Sequence, residues 1–142
     1  MIIVCCWIPA SGKSHWARAF ALKEWLPYFN PDLLCDMLFH IPWNPRYNTK
    51  DFTLQVVELW RKEHGMSPII IDATFTTRKS RKALMERFPN DNIEWHFFDT
   101  PLEVCLERNV HRKNSVPESL IRSMFQTLER PSEKEAIYHI YH

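Results

Sequence analysis

Two segments of this chain are apolar at every position rather than at every second one: MIIVCCWI (residues 1–8) and III (residues 69–71). A strand with one face in water alternates polar and apolar residues. Short unbroken runs rich in β-branched side chains belong to strands covered on both faces, the situation of a parallel sheet between helices. The intervening segments supply those helices. Residues 13–25 place Ala17, Phe20 and Ala21 on one face, and residues 49–64 place Phe52, Val56, Leu59 and Trp60 on another, with Gly65 just past the end. Asn30-Pro31-Asp32 reads as an N-cap, a proline at N1 and an acidic first turn. Helices are also predicted over about 77–88, 101–109 and 117–128. Thr100 and Glu103 are expected to form a capping box, and Leu120, Ile121, Met124 and Leu128 to face inward. PYFN (27–30) and NIEWHFFD (92–99) read as further strands, and the tail AIYHIYH as a possible last one. The predicted fold is therefore a three-layer α/β domain with a four- to five-stranded parallel sheet and helices on both faces.

Composition narrows the setting. The 142 residues fit one domain spanning 1–142, and 45% of them are hydrophobic, enough for a substantial core. No apolar run reaches the roughly 18 residues of a membrane span, and the apolar start lacks the basic flank of a signal peptide. Cys5, Cys6, Cys35 and Cys105 follow no zinc or CxxC spacing and read as reduced thiols of a cytoplasmic protein. The seven histidines show no paired-ligand spacing, so no structural metal is expected. A net charge of +1 neither demands nor excludes a nucleic-acid partner, and no membrane partner is expected; oligomeric state is not legible.

The first strand runs into PASGKS (9–14), and a helix follows. Gly12-Lys13-Ser14 matches the second half of the phosphate-binding loop G-x-x-x-x-G-K-[ST]. Between a strand and a helix N-terminus, successive backbone N–H groups converge on the positive end of the helix dipole and hold triphosphate oxygens. Ala10, Ser11, Gly12, Lys13, Ser14 and His15 are thus the candidate ATP cradle, with Lys13 on the β/γ-phosphates and Ser14 on Mg²⁺. Trp7 stands where the pattern asks for its first glycine. The reading that spares the motif makes Trp7 the last residue of the strand.

Ligands of such sheets bind beyond the carboxyl ends of the strands, and more candidates fall there. Asp32 follows the second strand and is the candidate general base for a hydroxyl acceptor, with Asp36 one turn later as its rival. Asp72 ends the third strand; it serves water around Mg²⁺, an acceptor group, or the turn containing Thr74 and Thr76. DATFT departs from an aspartyl-phosphatase motif at Thr74, so phosphatase chemistry is not expected. Arg108 and Arg112 sit on a polar segment suited to a lid near 108–116, where guanidinium groups meet phosphoryl oxygens. Trp43 and Tyr47 suit either stacking on an acceptor base or loop packing; Trp16 suits the core.

The blocks PASGKSHWARAF, FNPD, IIIDAT and FFDTPLEVCLERNVHRKNSVPESLIRSMF together resemble the kinase domain of phage-type polynucleotide 5′-hydroxyl kinases, from Ile2 to about Leu128. The resemblance implies a P-loop kinase fold; no attached phosphatase domain is expected in this chain. It also implies transfer of the ATP γ-phosphate, with Mg²⁺, to the 5′-hydroxyl of RNA or DNA, as in nucleic-acid repair. On it, Lys13, Asp32 and Arg112 are the catalytic residues, with Arg108 beside the lid arginine. Asp72 lies on the acceptor side with Thr74. Three departures stand out: Trp7 and Ala10 replace loop glycines, and Cys35 replaces an arginine that grips acceptor phosphate. Arg46, or the run Arg78, Lys79, Arg81 and Lys82, is the expected substitute, with Trp43 nearby. The alternatives are a kinase for a nucleoside, a modified DNA base hydroxyl or another small molecule, and a nucleotide-binding module without catalysis.

Overall fold

The computed structural model describes residues 1–41, 46–113, 115–133, 135 and 138–141. In chain order the elements are β1 (Ile2–Cys6), α1 (Lys13–Glu24), β2 (Tyr28–Phe29), α2 (Pro31–Phe39) and α3 (Thr49–His64). They continue with β3 (Ile69–Asp72), α4 (Arg78–Arg87), β4 (Ile93–Phe98), α5 (Leu102–Val110), α6 (Glu118–Gln126) and β5 (Tyr138–Tyr141). The strands form one sheet in the order β2-β3-β1-β4-β5, and every neighbouring pair is parallel. This is the α/β architecture that the unbroken apolar runs demand. All five residues of β1 and all four of β3 are buried, so both faces of the sheet centre are covered. Fully burying one such branched side chain contributes about 1.5–3 kcal/mol, so these two strands anchor the core.

The connection from β1 runs to β2 on the β3 side of the sheet, and the one from β3 crosses to β4 on the other side of β1, which makes the carboxyl end of β1 the topological switch point. In register, Cys5 of β1 pairs with Asp72 on one flank and His96 on the other. Asp72 therefore reaches the sheet edge beside the loop that follows β1.

Most predicted caps are in place. Asn30 Oδ1 accepts from the Asp32 and Leu33 amides at 2.7 and 3.2 Å, and the Thr77 hydroxyl accepts from the Ser80 amide. Gly65 ends α3 with φ 72. Ile121 is fully buried, with Leu120, Met124 and Leu128 partly so, as the α6 pattern predicts.

Three local expectations fail. The Thr100 side chain does not cap α5, whose N-cap is Pro101 with no side-chain bond; its hydroxyl donates instead to the Ser11 carbonyl at 2.7 Å. A buried carbonyl 89 residues away wins because it has no water to turn to. Arg81 is not a free surface cation. It is fully buried, with Nε and Nη2 on the Glu135 carboxylate and Nη1 on the Phe75 carbonyl. The α3 face read from the sequence does not turn inward as a whole: Phe52 and Leu59 are exposed, and the helix buries Thr53, Leu54 and Val57 instead. His96 is buried, with Trp16 stacked on its ring and Glu94 accepting from its Nε2 at 2.7 Å. Glu94, His96 and His139 meet across two strands, a grouping that no sequence spacing reveals.

Candidate active site

The loop between β1 and α1 closes through three residues with positive φ: Trp7 at 156°, Ala10 at 63° and Gly12 at 98°. Gly12 is tied to its position by conformation, since φ 98 strains any residue with a Cβ; an added Cβ would lie at ordinary contact distance, 3.6 Å, from Arg108 Nη1. Trp7 is not in the strand, which ends at Cys6. Its φ of 156° lies in a region that favours glycine, while its ring turns into the core. There the indole packs edge-on against Phe97 and Nε1 donates to the Thr100 carbonyl at 3.4 Å. Ala10 takes the second left-handed position, where a Cβ costs about 1–2 kcal/mol. Ala10→Gly is therefore expected to stabilise the protein by about 0.5–1 kcal/mol after the extra backbone entropy of glycine, read from the urea-unfolding midpoint; a loss of stability would count against the strain.

Gly12 caps α1 without a side-chain hydrogen bond, and no acidic residue occupies the first turn. Among the described residues the first-turn amides have no hydrogen-bond partner, which is the condition for anion binding. The Ser11 carbonyl is held from behind by the Thr100 hydroxyl and by Arg108 Nη1 at 3.3 Å. A crevice of about 420 Å³ opens over this loop, lined by Ala10 to His15 with Arg108 and Arg112. The eight residues expected around the nucleotide thus come together in one cavity.

Two more crevices adjoin it. One, of about 250 Å³, lies between Lys13, Asp32, Lys50, Asp72, Thr74 and Arg112. The other, of about 570 Å³, runs between α1 and α2 past Arg18, Asp32, Asp36 and Arg112. Lys13 joins the loop crevice to the smaller one, Asp32 borders both acceptor-side crevices, and Arg112 lines all three. Among the described residues, one nitrogen of Arg112, Nη1, is buried without a partner, as is Asp72 Oδ1. Orphaned buried polar atoms of opposite character on one cavity suit a ligand with both acceptors and a hydroxyl.

Asp72 is fixed by two donors. Tyr28 Oη and Asn30 Nδ2 both reach its Oδ2, the latter at 2.8 Å, and Asn30 also caps the helix carrying Asp32. Sequence reading missed Tyr28 and the second role of Asn30, since neither belongs to a local pattern. Asp32 is exposed at the crevice mouth, yet the surrounding walls strip part of its hydration. That desolvation raises its pKa above the ordinary carboxylate value; Asp72 adds to the rise, while Lys13 and Arg112 oppose it. Asn109 closes the turn after α5, donating to the Val116 carbonyl and accepting from its amide.

Not every expected acceptor residue arrives. Cys35 is fully buried on the inner face of α2 and lines none of the three crevices, so it cannot touch a ligand. Arg46 is exposed and lines none of them either. Trp43 lies outside the described residues.

A parallel sheet of this strand order with a glycine-lysine-serine loop after its central strand is the P-loop kinase fold. The chain belongs to the AAA domain family, whose profile matches residues 2–131. P-loop kinases use ATP and Mg²⁺, and the uncapped loop amides with Lys13, Ser14 and the orphaned Arg112 nitrogen fit that pair. Among curated proteins the chain is similar to an L-seryl-tRNA(Sec) kinase of Methanococcus maripaludis, 25% identical over 96% of this chain. It spans 55% of that relative's length. Among solved structures it is similar to a gluconokinase from Sinorhizobium meliloti, with 24% identity, 97% of this chain and 81% of the other covered, and a TM-score of 0.65. It is also similar to a chain of the Pnkp1/Rnl/Hen1 RNA repair complex, with 24% identity, 89% and 43% covered, and a TM-score of 0.72. No helix among the described residues is long and apolar enough to cross a membrane.

Proposed function

We propose that this chain is an ATP-dependent kinase that phosphorylates the 5′-hydroxyl of a polynucleotide. The observation that carries the reading is the shared wall of the crevices. Lys13 and Arg112 border both the loop crevice and the Asp72 crevice, and Asp32 stands at the second of these. A phosphoryl group passing between them leaves one set of fixed cations only at its end point.

The chemistry is an in-line displacement. The acceptor oxygen forms a bond to the γ-phosphorus, the bond to the β,γ-bridging oxygen breaks, ADP leaves, and the hydroxyl proton goes to Asp32. Lys13 and Arg112 offset the charge on the transferring oxygens. Bound Mg²⁺ neutralises the triphosphate, and the Ser14 hydroxyl is the group that would hold it. Asp72, with Oδ2 already occupied and Oδ1 free, orients the acceptor. The segment 108–116, which carries Arg112 and is closed by Asn109, is the lid.

A second reading is favoured by the burial of Cys35, which leaves no cation on α2 for a nucleic-acid phosphate: a kinase for a small molecule or for an aminoacyl group on RNA. Incubation with γ-labelled ATP and Mg²⁺ separates the two. Label is expected on a 5′-hydroxyl oligonucleotide. Label appearing only on a nucleoside and sugar panel would favour the second reading, and ATP binding without transfer to any acceptor would reject both in favour of a non-catalytic module.

A further inference from the structure

With Cys35 buried, the acceptor crevice draws its cation from another element. Lys50 is the second residue of α3 and lines the same crevice as Asp72. A helix N-terminus is the positive end of the dipole, where an ammonium is disfavoured. Lys50 is also half-buried, and among the described residues it makes no hydrogen bond or ion pair; its contact is the Phe75 ring, 3.9 Å from Nζ to the centroid. The adjacent carboxylate, Asp51, is occupied by Arg87 and Gln55. Burial pushes the Lys50 ammonium down to about 8. Phe75 is itself held at φ 36, a costly conformation for a bulky residue, and is fully buried. The ring under Lys50 is therefore fixed in place.

A partly desolvated cation, at the wrong end of a helix and without a counterion, is unfavourable on three counts. One anion in the crevice relieves all three. Opposite it, Asp72 offers its buried, unpartnered oxygen to a hydroxyl. At about 250 Å³ the cavity is small for a ligand pocket, so anion and hydroxyl belong to one compact unit.

We propose that Lys50 binds a phosphate of the acceptor, so that the substrate carries a phosphate ester close to the hydroxyl that is phosphorylated. This inference rests on the kinase reading above and moves the anion contact from α2 to the start of α3. Its test compares the wild type with Lys50→Met and Lys50→Arg. Methionine keeps an unbranched stem and removes an unpaired charge, so the variant is expected to fold with an unchanged or higher Tm. Adenosine 3′-monophosphate, a 5′-hydroxyl dinucleotide and glucose 6-phosphate are titrated calorimetrically into protein saturated with Mg²⁺ and a non-hydrolysable ATP analogue. Losing one charge-assisted contact weakens binding about tenfold to a hundredfold. That loss is expected in Lys50→Met for whichever phosphate compound binds the wild type, with recovery in Lys50→Arg. Adenosine binding should be alike in all three proteins. The compound that shows the dependence distinguishes a polynucleotide from a small phosphorylated source. Equal weakening for adenosine, an unaffected Lys50→Met, or a wild type that binds none of the three phosphates would overturn the proposal. Binding that follows Lys50 without phosphoryl transfer to any acceptor supports the anion site and counts against the kinase reading alone.

Discussion

Asp32→Asn is expected to lower turnover by about 10²–10⁴-fold, the usual contribution of a positioned general base, while ATP binding stays unchanged. Asparagine keeps the volume and the α2 N-terminus intact, because the cap is provided by Asn30 rather than by Asp32. What it removes is the one exposed carboxylate that borders both acceptor-side crevices. The pH profile supplies a second signature. Desolvation raises the Asp32 pKa, and the active form is the deprotonated one, so activity is fully present above that raised pKa and lost as pH falls through it. The acid limb of kcat should therefore lie above the ordinary aspartate range and disappear in the variant. Turnover near the wild-type level in Asp32→Asn, with loss in Asp36→Asn, would assign the base to the next turn of α2.

Trp7→Gly restores the motif's first glycine, yet it should damage the protein. Relief of the φ 156 backbone returns at most about 1–3 kcal/mol. Against this, deleting a buried tryptophan costs about 3–5 kcal/mol and leaves a large cavity, and glycine adds its own backbone entropy. The indole is 2% exposed, so the cavity term applies almost in full. The balance is a net loss of about 0.5–5 kcal/mol, centred near 3, lowering Tm by on the order of 10 °C for a chain of this size. ATP affinity of the folded fraction should not improve, because the proposed phosphate cradle is made by the amides of residues 10–14, which do not depend on the side chain at position 7. Trp7→Phe keeps most of the packing and should lose far less. A Trp7→Gly protein at least as stable as the wild type would mean that strain, not packing, dominates this loop.

Much of the fold is legible in the sequence because its signals are local. The unbroken apolar runs specify covered strands, and Asn30-Pro31 and Gly65 mark helix ends through backbone chemistry that needs no distant partner. The glycine-lysine-serine loop is legible for the same reason, since a strand, a turn and a helix N-terminus suffice to aim its amides. Where long-range partners compete, local reading fails. Thr100 satisfies the loop carbonyl of Ser11 rather than its own helix, and Arg81 reaches Glu135 rather than solvent. Trp7 occupies a glycine conformation because the core behind it rewards the ring.

The acceptor side shows the division most clearly. Sequence alone marks residues 10–15 as a strand-to-helix loop suited to phosphate and places carboxylates at 32 and 72, one beginning the helix after a strand and the other ending a strand. Long-range packing alone turns Cys35 inward, has Tyr28 and Asn30 leave Asp72 one oxygen unpartnered among the described residues, and brings Lys50 to the same crevice with no counterion among them. The physical reason is range. Backbone geometry and capping act over a few residues, whereas burial and charge balance depend on which surfaces the folded sheet brings together.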